Sequence, residues 1–342
     1  MRPDIHVLLA TLRREKSAYV PLMELGVHPK LKEQLLERPL SDLKDEVEFW
    51  YKAGYDYVKL QPQVQFNLGG ATADSAFQSK LDGTLGYAWA SEGQGLVSSF
   101  EDLEKLKLPS KQEIDYSSFE KVGSLLPEGM GVIGQYGDIF TMTWELMGFE
   151  GFSLALYENP ELIKALNQRI GDLILSMFEF FAQNERIDAI WYSDDIAFSS
   201  GLLMSPEVLD QYFFPWLKKI GDLAKAYNKP LVYHSDGLLW DVMDKIIDCG
   251  VDALHPIEPK AMDLAEVKQR YGQQLCLIGG IDVDLLARGK PEEIEQQVKR
   301  NIEVAAYNGG YCVGSGNSIP DYVPFENYQA LLQAAIKYGE SV

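Results

Sequence analysis

The chain has 342 residues, 46% of them apolar, enough to bury two cores or one large barrel. Its 51 acidic against 31 basic residues give a formal net charge of −20, a field that repels nucleic acid and anionic membrane surfaces. Cys249, Cys276 and Cys312 are spaced too widely for a zinc finger or disulfide framework, and no apolar run approaches the roughly 20 residues of a membrane helix.

The N-terminal stretch MRPDIHVLLATLRREK has basic residues but no apolar run of signal-peptide type, so a cytoplasmic protein is expected. Short apolar runs then recur along the chain, each introduced by turn residues and most separated by a helical segment. The first three are AYVPLMEL (18–25), DYVKLQ (56–61) and GVIGQYG (131–137). DAIWYSDD (188–195), LVYHSD (231–236) and DALHPIEP (252–259) follow, then LCLIGGID (275–282) and GYCVGSGN (310–317). Proline after Asn159, Ser205 and Lys290 marks three helix starts, and Asn308-Gly309-Gly310 marks a stop. Eight buried strands alternating with helices predict an α/β fold, a (β/α)₈ TIM barrel formed by residues 1–342 as one domain. A doubly wound open sheet is the alternative, but ELGVHPKL after the first strand is no glycine-rich phosphate loop.

One region breaks the rhythm. Residues 62–130 form a long insertion between the second and third predicted strands. Its piece 66–95 is rich in glycine, serine and aromatics, among them Phe77, Tyr87 and Trp89. It reads as a lid over the barrel mouth or as a surface packed on a second copy, which makes a homodimer compatible with the sequence.

Barrels of this kind carry their chemistry at the C-terminal strand ends. Those ends offer Glu24 with His28 beyond it, Gln61 and Gln63, Gln135, Tyr136 and Asp138, Asp194 and Asp195, His234 and Asp236, His255 and Glu258, Asp282, and Asn317. Asp194, Asp195 and Asp282 also read as caps of the helices or turns that follow. His255, before Pro256, also reads as a hydrogen-bonded structural histidine, and Cys312 as a small buried hydrophobe. His234 and Asp236 are less easily explained. Residues two apart share a strand face, and two ionisable groups on a buried face need partners or a ligand. They can pair with each other or with Glu24, or hold Zn²⁺ or another divalent metal together with Glu258. No arginine falls at a predicted strand end, and Lys59 is the one basic strand residue. Such a mouth suits a neutral or cationic small molecule, a metal, or proton transfer by carboxylates.

YHSDG (233–237), GVDALHPIEP (250–259), IGGIDVDLLARGKPEEI (278–294) and GSGNSIPDYVPFENY (314–328) resemble, as an ordered series, the uroporphyrinogen decarboxylase superfamily. WELMGFEGFSLALYENPEL (144–162) and SDDIAFSSGLLMSPEVLDQYFFPWLKKI (193–220) fit it too, so the resemblance spans most of residues 18–338. It implies a (β/α)₈ barrel and at least two chemistries. The cofactor-free decarboxylases of porphyrin biosynthesis bind substrate carboxylates with arginines after the first strand. Here that stretch is MELGVHPKL (23–31), which has none. Their catalytic aspartate falls at Gln61-Pro62-Gln63, and their late Gly-His-Gly at Gly316-Asn317-Ser318. The corrinoid-dependent methyltransferases of the superfamily hold zinc through a His-x-Cys pair and a later cysteine. Here the pair is His234-Ser235-Asp236, and the later cysteine falls near Ser315 to Asn317, away from Cys312.

The resemblance therefore implies a methyltransferase-like enzyme. It would move a methyl group between a small methylated compound and a corrinoid (cobalamin) on a partner protein. His234, Asp236 and Glu258 are the candidates for metal binding or acid–base work, and Asp194 joins them as a catalytic candidate. Glu24, Gln61, Gln135, Tyr136, Asp195, His255, Asp282 and Asn317 are the candidates for holding substrate. A decarboxylase, which needs no cofactor, and a non-catalytic corrinoid- or partner-binding protein are the alternatives.

Overall fold

The computed structural model describes residues 3–66 and 95–340. Its central sheet contains β1 (Tyr57–Leu60), β2 (Gly131–Gly137) and β3 (Ala189–Ser193), followed by β6 (Leu231–His234), β7 (Ala253–Ile257), β8 (Cys276–Ile281) and β9 (Tyr311–Ser315). These seven strands are all parallel and stand in chain order, so each neighbour is reached by a helical crossover. Every residue of β3, β6, β7, β8 and β9 is buried, which is why these runs are apolar without alternation.

The segment 18–25 occupies the eighth position as an irregular stretch. Met23 N–H donates to Val313 O of β9 (2.8 Å), and Val313 N–H donates to Pro21 O (2.9 Å). On its other side Glu24 N–H donates to the Tyr57 hydroxyl of β1 (3.0 Å). This closes the (β/α)₈ barrel with a single bridge, Leu22 to Val313, in place of a full strand. Pro21 lies in the middle of the segment and has no N–H to give a ladder. A short antiparallel ribbon after β3, of β4 (Ala197–Phe198) and β5 (Gly201–Leu202), has no counterpart among the expected strands.

The three proline-marked starts each open a helix, at Pro160–Gln183, Pro206–Tyr212 and Pro291–Ala305. In the longest, Ile163, Leu166, Ile170, Ile174, Met177 and Phe181 recur at three- and four-residue spacing and are all buried. The described part of the insertion forms the helices Phe100–Lys105 and Ser117–Val122. It returns to the end of β1 through an antiparallel bridge between Gln63 and Asp115. The lid expected at 66–95, with Phe77, Tyr87 and Trp89, lies outside the described residues apart from its two end residues. Among the described residues no helix is long and apolar enough to cross a membrane.

Candidate active site at the ends of β3 and β6

β3 and β6 are neighbours, with Ser193 opposite His234 in the register. Two residues further on, Asp195 and Asp236 therefore stand side by side. Asp236 N–H donates to Asp195 Oδ1 (3.0 Å). His234 Nε2 faces both carboxylates, 3.6 Å from Asp195 Oδ1 and 3.9 Å from Asp236 Oδ1. Asn317, just past β9, donates from its amide to Asp236 Oδ2. Asp236 Oδ1 is buried with no hydrogen-bond partner among the described residues. Burial, and then the charges of Asp195 and Glu258, push the Asp236 carboxyl well above the usual carboxylate range. Glu258 is also raised, chiefly by burial, while its Oε2 accepts from Gly237 N–H (3.0 Å).

One ligand atom each from Asp195, His234 and Asp236 lie within 4.8 Å of one another. An imidazole nitrogen, two carboxylate oxygens and an orphaned buried oxygen among them fit a divalent cation of borderline to hard character. Glu258, expected as the third ligand, is turned to the Gly237 amide, and Asp195 supplies that third group.

A second set of polar groups lies across the barrel interior. His234 Nδ1 and His255 Nδ1 are 2.8 Å apart. Burial, then His234 and Lys59, hold the His255 pKa well below its usual value. The Trp191 ring meets His255 edge-on at 5.1 Å, reaching past β6 to do so. Lys59 Nζ lies 5.7 Å from the centre of the Trp191 ring and 3.3 Å from Gln135 Oε1. Gln61 also donates to Gln135 Oε1, and Gln135 Nε2 donates to Ser193 Oγ (3.0 Å).

The remaining candidates are placed elsewhere. Asp194 points away from its neighbour Asp195, as alternation demands. It accepts from Phe140 N–H (2.7 Å), Thr141 N–H (3.0 Å), Thr141 Oγ1 (2.8 Å) and the Tyr192 hydroxyl (2.6 Å). It thus caps the first turn of the helix Ile139–Met147. Glu24 is buried and accepts from Ser315 N–H and Ser315 Oγ, both at 2.7 Å. Burial raises its pKa to about 8 despite those bonds. Asp282 caps the helix Val283–Arg288 through Asp284 N–H (2.9 Å). His28 caps the helix Pro29–Leu36, accepting from Lys30 N–H. Tyr136 lies on the opposite face of β2 from Gln135, packed against the core.

Sequence reasoning at the strand ends did not reach Trp191, Ser193 or Ser315, and it noted Lys59 only as a charge. Extending the two-residue parity inward from Gln61 and Ser193 finds Lys59 and Trp191 on the same faces.

The family profile described as uroporphyrinogen decarboxylase (URO-D) matches residues 93–338. The chain belongs to this family. Among named uroporphyrinogen decarboxylases, that of Pseudoalteromonas atlantica is 23% identical over 301 residues, covering 82% of each chain. That of Methylobacillus flagellatus is 28% identical over 296 residues and covers 81% of each chain. A methyltransferase from Methanosarcina mazei superposes with a TM-score of 0.68 at 19% identity, over 97% of both chains. That likeness shows a shared barrel fold, and in this chain the Asp195–His234–Asp236 cluster follows the C-terminal ends of β3 and β6.

Proposed function

We propose that this uroporphyrinogen decarboxylase family member transfers a methyl group between a small methylated compound and a corrinoid carried by a partner protein. The observation that carries the reading is the cluster of Asp195, His234 and Asp236 with one carboxylate oxygen unpartnered. A decarboxylase acting on a multiply anionic tetrapyrrole needs cationic forks, and the stretch 23–31 has no arginine. The Methanosarcina mazei neighbour, named a methyltransferase, supports the choice between the two chemistries.

A divalent cation held by Asp195, His234 and Asp236 would supply electrostatic stabilisation to the heteroatom that leaves the methyl group. The protein's own groups do the rest. Asn317 holds one oxygen of Asp236, and the Asp236 amide holds Asp195, so the carboxylates are fixed before substrate arrives. When the carbon–oxygen or carbon–nitrogen bond breaks, the leaving atom takes up a proton. Glu258 is raised in pKa and half-buried at the mouth, which suits it to give that proton.

The test is methylation of cob(I)alamin by a panel of methyl ethers and methylamines, followed by loss of the cob(I) absorbance. Transfer abolished by His234→Ala and Asp236→Ala supports the reading. No transfer from any donor, with no binding of a corrinoid protein, defeats it. The relatives' names favour decarboxylation as the second reading. Incubation with uroporphyrinogen and chromatography of the products decides it, and we expect no turnover. A non-catalytic partner-binding role would be favoured if both substitutions left every measured function intact.

A further inference from the structure

We propose that Lys59, Trp191 and His255 form a subsite in the barrel interior that binds a single anionic oxygen group, a carboxylate or phenolate, on the methylated substrate. The inference rests on the methyl-transfer reading for the substrate's other end and on these three residues for the anion.

Lys59 is the one cation on the barrel strands, and among the described residues it has no carboxylate within salt-bridge distance. Its hydrogen-bond partner is the Gln135 carbonyl, at 3.3 Å. Burial, then the charge of Lys32, lowers the Lys59 pKa to about 7 against the opposing pull of Glu46 and Glu24, and a ligand oxyanion would hold the ammonium form.

The second observation is independent of charge. Trp191 Nε1 and His255 Nε2 are buried and have no hydrogen-bond partner among the described residues. An indole nitrogen can only donate. For His234 Nε2 to present a lone pair to the mouth, His234 Nδ1–H must donate to His255 Nδ1. With its Nδ1 accepting, the His255 ring carries its hydrogen on Nε2, a second donor without an acceptor among the described residues. The interior thus holds a buried lysine and two unmet donors, with the Trp191 ring in contact with the His255 ring and within 5.7 Å of Lys59 Nζ. One oxyanion is the chemistry that answers all three.

His234 turns its Nε2 to Asp195 and Asp236 and its Nδ1 to His255, whose ring meets Trp191. The methyl-bearing end of such a substrate would face Asp195 and Asp236, and its anionic end Lys59. With one lysine and no arginine fork, the subsite takes one negative charge and rejects polyanions.

Direct binding tests this without turnover. Methoxyacetate and 4-methoxybenzoate are titrated calorimetrically into the full chain against their uncharged amides. We expect each acid to bind at least ten-fold more tightly than its amide in the wild type. Lys59→Met should abolish that preference, and Trp191→Phe should reduce it several-fold. If Lys59→Met fails to fold, Lys59→Gln replaces it, and the wild-type comparison needs no variant. Equal affinity for acid and amide, no binding of either acid, or a preference that survives loss of Lys59 overturns the proposal. Since no methyl transfer is measured, failure of the transfer reading leaves these outcomes unaffected.

Discussion

His234 and His255 face each other through their Nδ1 atoms at 2.8 Å, so one of the two nitrogens carries a proton and the other receives it. If His234 donates from Nδ1, its Nε2 carries the lone pair that could bind a cation between Asp195 and Asp236. His255 then sets both the tautomer and the ring angle of His234. We expect His255→Phe to keep the fold but weaken divalent-cation binding by about 10- to 100-fold, the usual cost of losing a ligand's supporting partner. His255→Asn, which restores an acceptor, should recover part of the affinity. Calorimetric titration with Zn²⁺ and Mn²⁺ measures both. Unchanged affinity in His255→Phe would show that the pair is packing alone.

Asp236 lies where carboxylates crowd. Its pKa is raised by burial first, then by Asp195 and Glu258. A raised carboxyl pKa means that its contribution to stability is present at low pH and is lost as pH rises through the folded value. Asp236→Asn removes that loss. We expect the variant to melt a few degrees above the wild type at pH 8 and level with it near pH 4, by differential scanning calorimetry. Its cation affinity should fall by about 100-fold or more, since a neutral amide replaces a charged ligand. A variant more stable and less able to bind is the signature of a residue kept for function.

The barrel and the placing of His234 and Asp236 were legible because they follow from short-range rules. Buried parallel strands read as apolar runs, proline marks helix starts, and parity puts residues two apart on one face. What the sequence hid depends on neighbours far apart in the chain. Asp194 and Asp195 are adjacent letters with the same chemistry, yet one caps a helix beginning near Ile139 and the other meets Asp236. Trp191 falls inside the apolar run 188–195 and is buried, and only its contact with His255 sets it apart from the core around it. Segment 18–25 read as a full strand because its apolar run is continuous, but Pro21 reduces it to one bridge.

Glu24 gives a pH dependence of its own. Its pKa is raised from 4.5 to about 8, with burial the largest cause. The sign is that of a carboxyl which the folded state prefers neutral. Its contribution is fully present below about pH 4.5 and disappears as pH rises through about 8. Glu24→Gln mimics the neutral form and can still accept from Ser315. We expect the stability of the variant relative to wild type to climb steadily between those two pH values, by a few kcal/mol at most, since one pKa unit is worth about 1.4 kcal/mol. Urea unfolding at a series of pH values measures the difference. A flat difference would mean that Glu24 is ionised in the folded protein.

Asp194 and Asp195 should separate stability from binding. Asp194→Ala leaves two backbone N–H groups and two hydroxyls of Phe140, Thr141 and Tyr192 without their acceptor, in a fully buried place. Each unsatisfied buried donor costs about 1–3 kcal/mol before relaxation, so we expect a loss of about 3–5 kcal/mol. The first turn of the helix Ile139–Met147 should lose its hydrogen-exchange protection. Asp195→Ala removes a half-exposed side chain whose one described hydrogen bond is to the Asp236 amide. Its stability should stay within about 1 kcal/mol of wild type. Cation binding should nonetheless fall by about 100-fold with the loss of a charged ligand. Paired denaturation and titration of the two variants decide the assignment. If Asp194→Ala lost binding at unchanged stability, the cap and the ligand would have to exchange roles.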